Sequence, residues 1–142
     1  MDNFDDVSKR LLANVVEHEG FRTRPYQDSL GITTIGHGLT WISEDESLVV
    51  VQMRLSKIQG ELQYTFAHFD KLPERIQDCL TEMAYQMGTN GLMGFKNMIS
   101  AIRQRDYTLA ARHGLDSKWA RQTPERAQDM MDELAAISTV TG

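Results

Sequence analysis

The segment of residues 19–38, EGFRTRPYQDSLGITTIGHG, constrains the fold most, because the hydrophobic period changes within it. Just before it, three apolar residues recur at helical spacing: Leu12, Val15 and Val16. Glu19 continues this stripe, so we expect its side chain to face the body of the protein. Gly20 is typical of a helix end. The pattern therefore predicts a first helix over about residues 3–19.

After this helix the hydrophobic period falls towards two, which is typical of β-strands. The strand-forming residues are Phe21, Tyr26, Ile32 and Ile35. Between them the tetrapeptide DSLG at residues 28–31 is a turn signal. We therefore expect a β-hairpin with Asp28 at its turn and Thr34 on the returning strand, and antiparallel pairing would bring these two side chains near each other.

Two carboxylic acids and one hydroxyl fall within this short segment, at Glu19, Asp28 and Thr34. The end of a helix and partial burial both favour a protonated Glu19, as a general acid requires. An ionised Asp28 beside Thr34 could hold and deprotonate a water molecule. Each residue also has a structural interpretation: Glu19 as the partner of an arginine, Asp28 as a turn cap and Thr34 as an ordinary strand residue. Their combination favours hydrolysis of an acetal.

The spacing of Glu19, Asp28 and Thr34, continued by Ile-Gly, resembles the catalytic signature of the T-even bacteriophage lysozymes, glycoside hydrolase family 24. Two further blocks resemble the same family: MAYQMGTNGLMGFKN at residues 83–97 and SKWARQTPERA at residues 117–127. The three blocks follow the family's order and span most of the chain. The resemblance implies a phage endolysin with muramidase activity.

The resemblance also implies roles for individual residues. Glu19 would protonate the glycosidic oxygen, Asp28 and Thr34 would position the attacking water, and Arg126 would contact Glu19 and hold it in place. Three further residues match positions that line or support the substrate cleft: Tyr85, Gln86 and Trp119. Tyr85 and Trp119 could equally be packed core aromatics.

Several positions depart from the family pattern. Leu39 replaces a usual histidine, and His37 lies two places earlier. Three other substitutions suggest a buried polar cluster behind Glu19 with its charges reversed: His18, Glu82 and Asp129. In this cluster we expect the histidine to pair with one of the two carboxylates.

The resemblance implies an α+β, mainly α fold of the lysozyme type, with a small β-hairpin lobe and a larger helical lobe joined by a long helix and a cleft between them. A capping box at Ser43 and Glu46 predicts the start of that long helix. Further start and stop signals predict helices from Pro73 to Gly88, from Phe95 to Arg103, from Asp106 to Gly114, and from Thr123 onward. Over the whole chain the expected parts are one domain of residues 1–142, with a small lobe at about 20–42, a connecting helix at about 43–68, and a helical lobe of 1–19 plus 69–142.

Composition narrows the class of protein. The length of 142 residues fits one domain, and the net charge of −5 argues against a nucleic-acid partner. The single cysteine, Cys79, falls in a helical apolar pattern, so we expect a reduced core residue. The four histidines show no metal-ligand spacing, so we expect no metal ion and no cofactor. We also expect a monomer.

The N-terminal residues are acidic and lack an uninterrupted apolar core, which predicts neither a signal peptide nor a membrane anchor. We expect an enzyme that hydrolyses the β-1,4 bond between N-acetylmuramic acid and N-acetylglucosamine with inversion, for lysis of the host cell. It would accumulate in the host cytoplasm and reach the wall in the periplasm with an export partner such as a holin, or on a phage particle. Two alternatives stay open: a non-catalytic peptidoglycan-binding or virion domain, and a lytic transglycosylase.

Overall fold

The structure, a computed structural model, describes residues 6–137 and consists mainly of α-helix. The helices in this range are α1 (Lys9–Glu19), α2 (Glu44–Thr65), α3 (Glu74–Met87), α4 (Thr89–Met93), α5 (Lys96–Arg103), α6 (Tyr107–Leu115), α7 (Lys118–Gln122) and α8 (Pro124–Ile137). Between α1 and α2 in the sequence lies an antiparallel hairpin of β1 (Arg22–Gln27) and β2 (Thr33–Gly36). The predicted α+β, mainly α class is confirmed.

The chain divides into two compact units, Met1–Val49 and Val50–Gly142. The first unit contains α1, the hairpin and the start of α2, and the second contains the rest of α2 with α3 to α8. Helix α1 thus groups with the hairpin, whereas the sequence assigned residues 1–19 to the helical lobe. The single domain of residues 1–142 with a cleft between its lobes stays a prediction.

Helix α1 begins later than predicted. Ser8 is extended and its Oγ accepts a hydrogen bond from the Leu11 N–H at 3.0 Å, so the helix starts at Lys9 and not near residue 3. Residues 3–5 lie outside the described part of the chain. The predicted end is confirmed: Gly20 has φ 69° and its N–H donates to the Val16 carbonyl at 2.9 Å.

The apolar stripe of α1 is exposed. Leu12, Val15 and Val16 are between 38% and 58% exposed, and α1 contains no buried residue. Within the first unit, no described residue buries this stripe or Glu19, so their expected packing against the body of the protein stays a prediction. Helical spacing shows which side chains share a face, but it does not show what that face packs against.

The start of α2 follows the predicted capping box. The Ser43 N–H donates to Glu46 Oε1 at 3.0 Å, and the Glu46 N–H donates to Ser43 Oγ at 3.2 Å. The helix has 22 residues and is therefore about 33 Å long at its rise per residue. It ends at Thr65, before the predicted position at His68, because His68 takes a left-handed conformation with φ 63° and starts a 3-10 turn at Phe69–Lys71.

Most of the later helix limits are confirmed. Pro73 precedes α3 and Gly88 ends it with φ 85°. Asp106 caps α6 by accepting a hydrogen bond from the Leu109 N–H at 3.1 Å, although α6 runs one residue past Gly114. Helix α8 starts at the predicted proline. Thr123 precedes α8, and its hydroxyl donates to the Trp119 carbonyl of α7 at 2.9 Å.

The second unit has one apolar core, formed by α3 to α8 with the end of α2. At Gly114 on α6, a Cβ would meet the sulfur of Met131 on α8 and would lie 3.3 Å from the sulfur of Met98 on α5. A larger residue there would require these two methionine side chains to move. Within residues 6–137, no helix is long and apolar enough to cross a membrane.

Candidate functional site

The three residues predicted to be catalytic lie in the first unit. Glu19 is the last residue of α1, Asp28 follows β1, and Thr34 belongs to β2. A helix end and the two sides of one hairpin therefore supply them. Gly20 and Phe21 join α1 to β1, and residues 28–32 join β1 to β2, so the three residues lie on neighbouring elements of one unit.

Asp28 is fixed by its own turn. Its Oδ1 accepts hydrogen bonds from the Leu30 N–H and the Ile32 N–H, both at 2.8 Å. The Asp28 backbone N–H also donates to the Ile32 carbonyl at 2.9 Å. The turn-capping interpretation is therefore correct for Oδ1. The second oxygen, Oδ2, accepts no hydrogen bond from residues 6–49 and is available to a water molecule.

Thr34 is 4% exposed, and its hydroxyl donates to the Ile32 carbonyl at 2.9 Å. Its partner across the hairpin is Tyr26. Because side chains alternate along a strand, Asp28, two residues after Tyr26, follows on the same face as Thr34. If the register of the hairpin is extended by one residue beyond β1, the two residues are diagonally related across the hairpin.

Glu19 is exposed, and residues 6–49 do not give it the partial burial expected from the sequence. Within residues 6–49 its carboxylate has no hydrogen-bond or ion-pair partner. Instead it packs against the backbone of Gly38: a Cβ built on that glycine would lie 2.6 Å from Glu19 Cδ and 2.9 Å from Cγ. Sequence reasoning missed this contact, and the signal that could have indicated it is the pair of glycines at 36 and 38.

The turn that carries Gly38 is closed by two hydrogen bonds. The Ile35 N–H donates to the Leu39 carbonyl at 2.8 Å, and the Leu39 N–H donates to the Ile35 carbonyl at 2.9 Å. His37 lies at the tip, and its ring centroid is 5.0 Å from that of Phe21. His37 therefore links the turn to the residue that follows the end of α1 and Gly20.

The residues predicted to line or support the cleft lie in the second unit. Trp119 is 8% exposed and its Nε1–H donates to Gln86 Oε1 at 2.9 Å. Its ring meets the Phe95 ring edge to face, with centroids 6.1 Å apart. This supports the packing interpretation of Trp119, with Gln86 as its polar partner, whereas Tyr85 is exposed. A role for these residues at a cleft stays a prediction.

Arg126 pairs with Glu82, with 3.1 Å between Nη2 and Oε1. Its predicted contact with Glu19 would join the two units and stays a prediction, as does the pairing of His18. The predicted cluster would also join the two units, so it stays a prediction; His18 is exposed in the first unit, and Glu82 and Asp129 are exposed in the second. A charged side chain at the surface keeps its hydration and therefore does not need a partner of opposite charge.

Residues 6–137 provide neither a reactive thiol nor a metal-binding cluster. Cys79 is buried, and burial raises the pKa of its thiol to about 12 with a smaller contribution from the nearby Glu82 charge. At neutral pH it stays a protonated core residue, as expected, and is unsuited to nucleophilic attack. No group of three histidine, cysteine, aspartate or glutamate residues in the range 6–137 could hold a metal ion.

Two cavities lie within the second unit. The larger, of about 1050 Å³, has buried Phe66, Ile102 and Tyr107 in its lining and exposed basic side chains at its edge. The smaller, of about 310 Å³, is lined in part by Phe95 and Trp119. Among the residues predicted to be catalytic or to line the cleft, Trp119 is the one that also lines either of these two cavities.

Comparison with known proteins gives a family. No curated protein matches the chain significantly. Residues 16–133 match the sequence model of the phage lysozymes, a range that includes Glu19, Asp28, Thr34 and Arg126. The match covers most of the chain and agrees with the three blocks identified from the sequence. The chain therefore belongs to the phage lysozyme family.

Proposed function

We propose that this protein is a muramidase that hydrolyses the β-1,4 bond between N-acetylmuramic acid and N-acetylglucosamine in bacterial peptidoglycan. One observation carries the proposal: a chain of the phage lysozyme family retains Glu19, Asp28 and Thr34 at the family's spacing, on adjoining elements of one unit. No cofactor or metal ion takes part in this reaction.

The proposed acid is Glu19. It donates a proton to the glycosidic oxygen while the bond from that oxygen to the anomeric carbon breaks. A catalytic acid must be free to reach substrate. The lack of any polar partner for Glu19 within residues 6–49 meets this requirement.

The proposed base is Asp28. Its Oδ1 is held by two backbone N–H groups, which fixes the carboxylate, and its Oδ2 takes a proton from the attacking water. The Thr34 hydroxyl donates to a backbone carbonyl, so its oxygen can accept a hydrogen bond from the same water. Water attacking opposite the leaving group inverts the anomeric carbon, for which the two carboxylates should be about 6.5–9.5 Å apart.

A lytic transglycosylase is the main competing activity. It needs an acid but no residue that activates water, so the fixed Asp28 with Thr34 beside it favours hydrolysis. A wall-binding or virion domain without activity is the other alternative. Against it stands the presence of all three side chains at the family's spacing, since a binding domain does not need them.

One digestion separates these activities. Purified peptidoglycan is treated with the protein, and the ends of the released muropeptides are identified by mass spectrometry. We expect reducing N-acetylmuramic acid ends, and the first anomer detected by NMR should be the inverted one. Anhydro ends would assign a transglycosylase, and no release by the parent protein would assign a binding domain.

The biological role that fits is host cell lysis by a phage. The monomeric enzyme would accumulate in the host cytoplasm, without membrane insertion or a nucleic-acid partner, and act on glycan strands in the periplasm after a holin opens the membrane. Expression in a bacterium tests this: we expect the culture to lyse only when a holin or a permeabilising agent is added. Lysis without either would contradict the dependence on an export partner.

A further inference from the structure

We propose that Gly38 is a positioning residue for Glu19: its bare backbone forms a wall against which the Glu19 carboxyl group packs. The packing is a property of the fold. Its effect on turnover rests on the proposed muramidase function, in which Glu19 is the acid.

Glu19 lies so close to Gly38 that a residue with a Cβ atom would not fit at position 38 unless one of the two groups moved. A Cβ on Gly38 would lie 2.6 Å from Glu19 Cδ and 2.9 Å from Glu19 Cγ, and it would also overlap Oε2. Atoms at such distances repel, so one of the two groups must move. The carboxylate is at the end of a flexible side chain, and we therefore expect Glu19 to move and the backbone to stay.

Among residues 6–49, no other group holds this carboxylate. Within residues 6–49 it has no hydrogen-bond donor and no cation as partner. An exposed glutamate without partners samples several rotamers. The Gly38 wall excludes some of these rotamers, so packing restrains the Glu19 side chain. The carboxyl group is thereby positioned without a charged partner.

The wall itself is anchored at two places. The paired hydrogen bonds between Ile35 and Leu39 close the turn at its base. At its tip His37 contacts the Phe21 ring, 5.0 Å away between centroids. Phe21 follows Glu19 by two residues, so this contact ties the turn to the chain that leaves α1.

Backbone conformation alone gives a competing reason for glycine at this position, because Gly38 has φ +77°. Gly88, at the end of α3, has φ +85° and nothing within 4 Å of an added Cβ. Alanine would therefore strain the backbone at both positions, since both have a positive φ, but only at Gly38 would it displace Glu19. The two substitutions form a matched pair.

The experiment compares Gly38→Ala with Gly88→Ala in the full chain. The first measurement needs no activity: the Glu19 side-chain carboxyl resonance is recorded by ¹³C NMR and assigned by its loss in Glu19→Gln. We expect it to shift in Gly38→Ala and to stay unchanged in Gly88→Ala. An unchanged resonance in folded Gly38→Ala would overturn the packing.

The second measurement is kinetic. For Gly38→Ala we expect kcat to fall at least about tenfold with KM changed less than about twofold, because a misplaced acid affects the reaction and not the binding. Gly88→Ala should keep the parent kcat. A shifted resonance with parental kcat would overturn the positioning role, whereas a parent protein without activity would contradict the muramidase proposal and leave the NMR result standing.

A second variant covers the case that Gly38→Ala does not fold. His37→Ala adds no atoms and removes the ring contact that holds the tip of the turn. We expect a shifted Glu19 resonance and a kcat lowered about threefold to tenfold, less than for Gly38→Ala, since the hydrogen bonds at the base remain. A parental resonance and a parental kcat in this variant would contradict the proposed wall.

Discussion

Asp28 and Ile32 are joined by two hydrogen bonds: the Asp28 N–H donates to the Ile32 carbonyl at 2.9 Å, and the Ile32 N–H donates to Asp28 Oδ1 at 2.8 Å. One carboxylate oxygen therefore builds the hairpin turn, and the other accepts no hydrogen bond from residues 6–49. A structural and a catalytic role for Asp28 are compatible, because they use different atoms.

Substitution can separate these two roles. Asp28→Asn keeps an acceptor oxygen for the turn but cannot take a proton, so we expect stability within about 1 kcal/mol of the parent and turnover reduced about 10²–10⁴-fold. Asp28→Ala should lose the same turnover and a further 1–3 kcal/mol or so of stability. Peptidoglycan digestion and urea unfolding measure the two effects. Equal stability of the two variants would show that the turn does not need Oδ1.

Glu19→Gln should abolish turnover and leave the fold intact, because the amide is similar in size but cannot donate the catalytic proton. Glu17 on the same helix is also exposed and supplies the control. We expect Glu17→Gln to clear cell walls at the parent rate in a turbidity assay. If Glu19→Gln cleared them equally well, the acid would have to be another residue.

The hydrogen bond between Trp119 and Gln86 should contribute to stability in the second unit. Trp119→Phe leaves Gln86 without its donor and reduces packing on Phe95, so we expect a loss of about 1–3 kcal/mol in unfolding free energy. Tyr85→Phe, at the exposed neighbouring position, should change it by less than about 0.5 kcal/mol. Additive effects of Trp119→Phe and Gln86→Leu would show that the bond contributes nothing.

Two helical glycines should respond oppositely to alanine. Gly60 in α2 has nothing within 4 Å of an added Cβ, so Gly60→Ala should stabilise the protein by about 0.5–1 kcal/mol. At Gly114 the added Cβ would meet the sulfurs of Met131 and Met98, so Gly114→Ala should destabilise it by about 1–3 kcal/mol. Thermal and urea unfolding measure both changes. A stabilised Gly114→Ala would mean that the two methionines repack freely.

The capping box of α2 should make stability depend on pH. The Ser43 backbone N–H and then the Ser43 hydroxyl lower the pKa of Glu46 from its ordinary value. The stabilisation is therefore fully present above the ordinary glutamate pKa of about 4.3, and it is lost as pH falls through the lower pKa of the folded protein. We expect Glu46→Gln to be less stable than the parent at pH 6, with a smaller difference at pH 3. A constant difference between these pH values would contradict the linkage.

Local signals in the sequence predicted the limits of most elements. The capping box at Ser43, the glycines at 20 and 88 and the cap at Asp106 act through neighbours within four residues, so the sequence alone suffices for them. The start of α1 was missed because the Ser8 cap interrupts a pattern that continues on both sides.

Contacts between residues far apart in the sequence could not be predicted from such local signals. Periodicity identified the stripe on α1 but not its exposure, since exposure depends on what the fold places against it. The approach of Gly38 to Glu19 and the bond from Trp119 to Gln86 join residues 19 and 33 positions apart. The family spacing predicted which residues react, but the atoms that contact those residues could be identified only from the structure.

The buried Cys79 has a practical consequence for spectroscopy. As the single thiol of the chain, and with its pKa raised by burial, it should resist maleimide reagents in the folded protein. A cysteine introduced at Tyr64, which is 92% exposed, would then accept a fluorophore or spin label selectively. Probes for distance measurements could be attached without first removing the native sulfur.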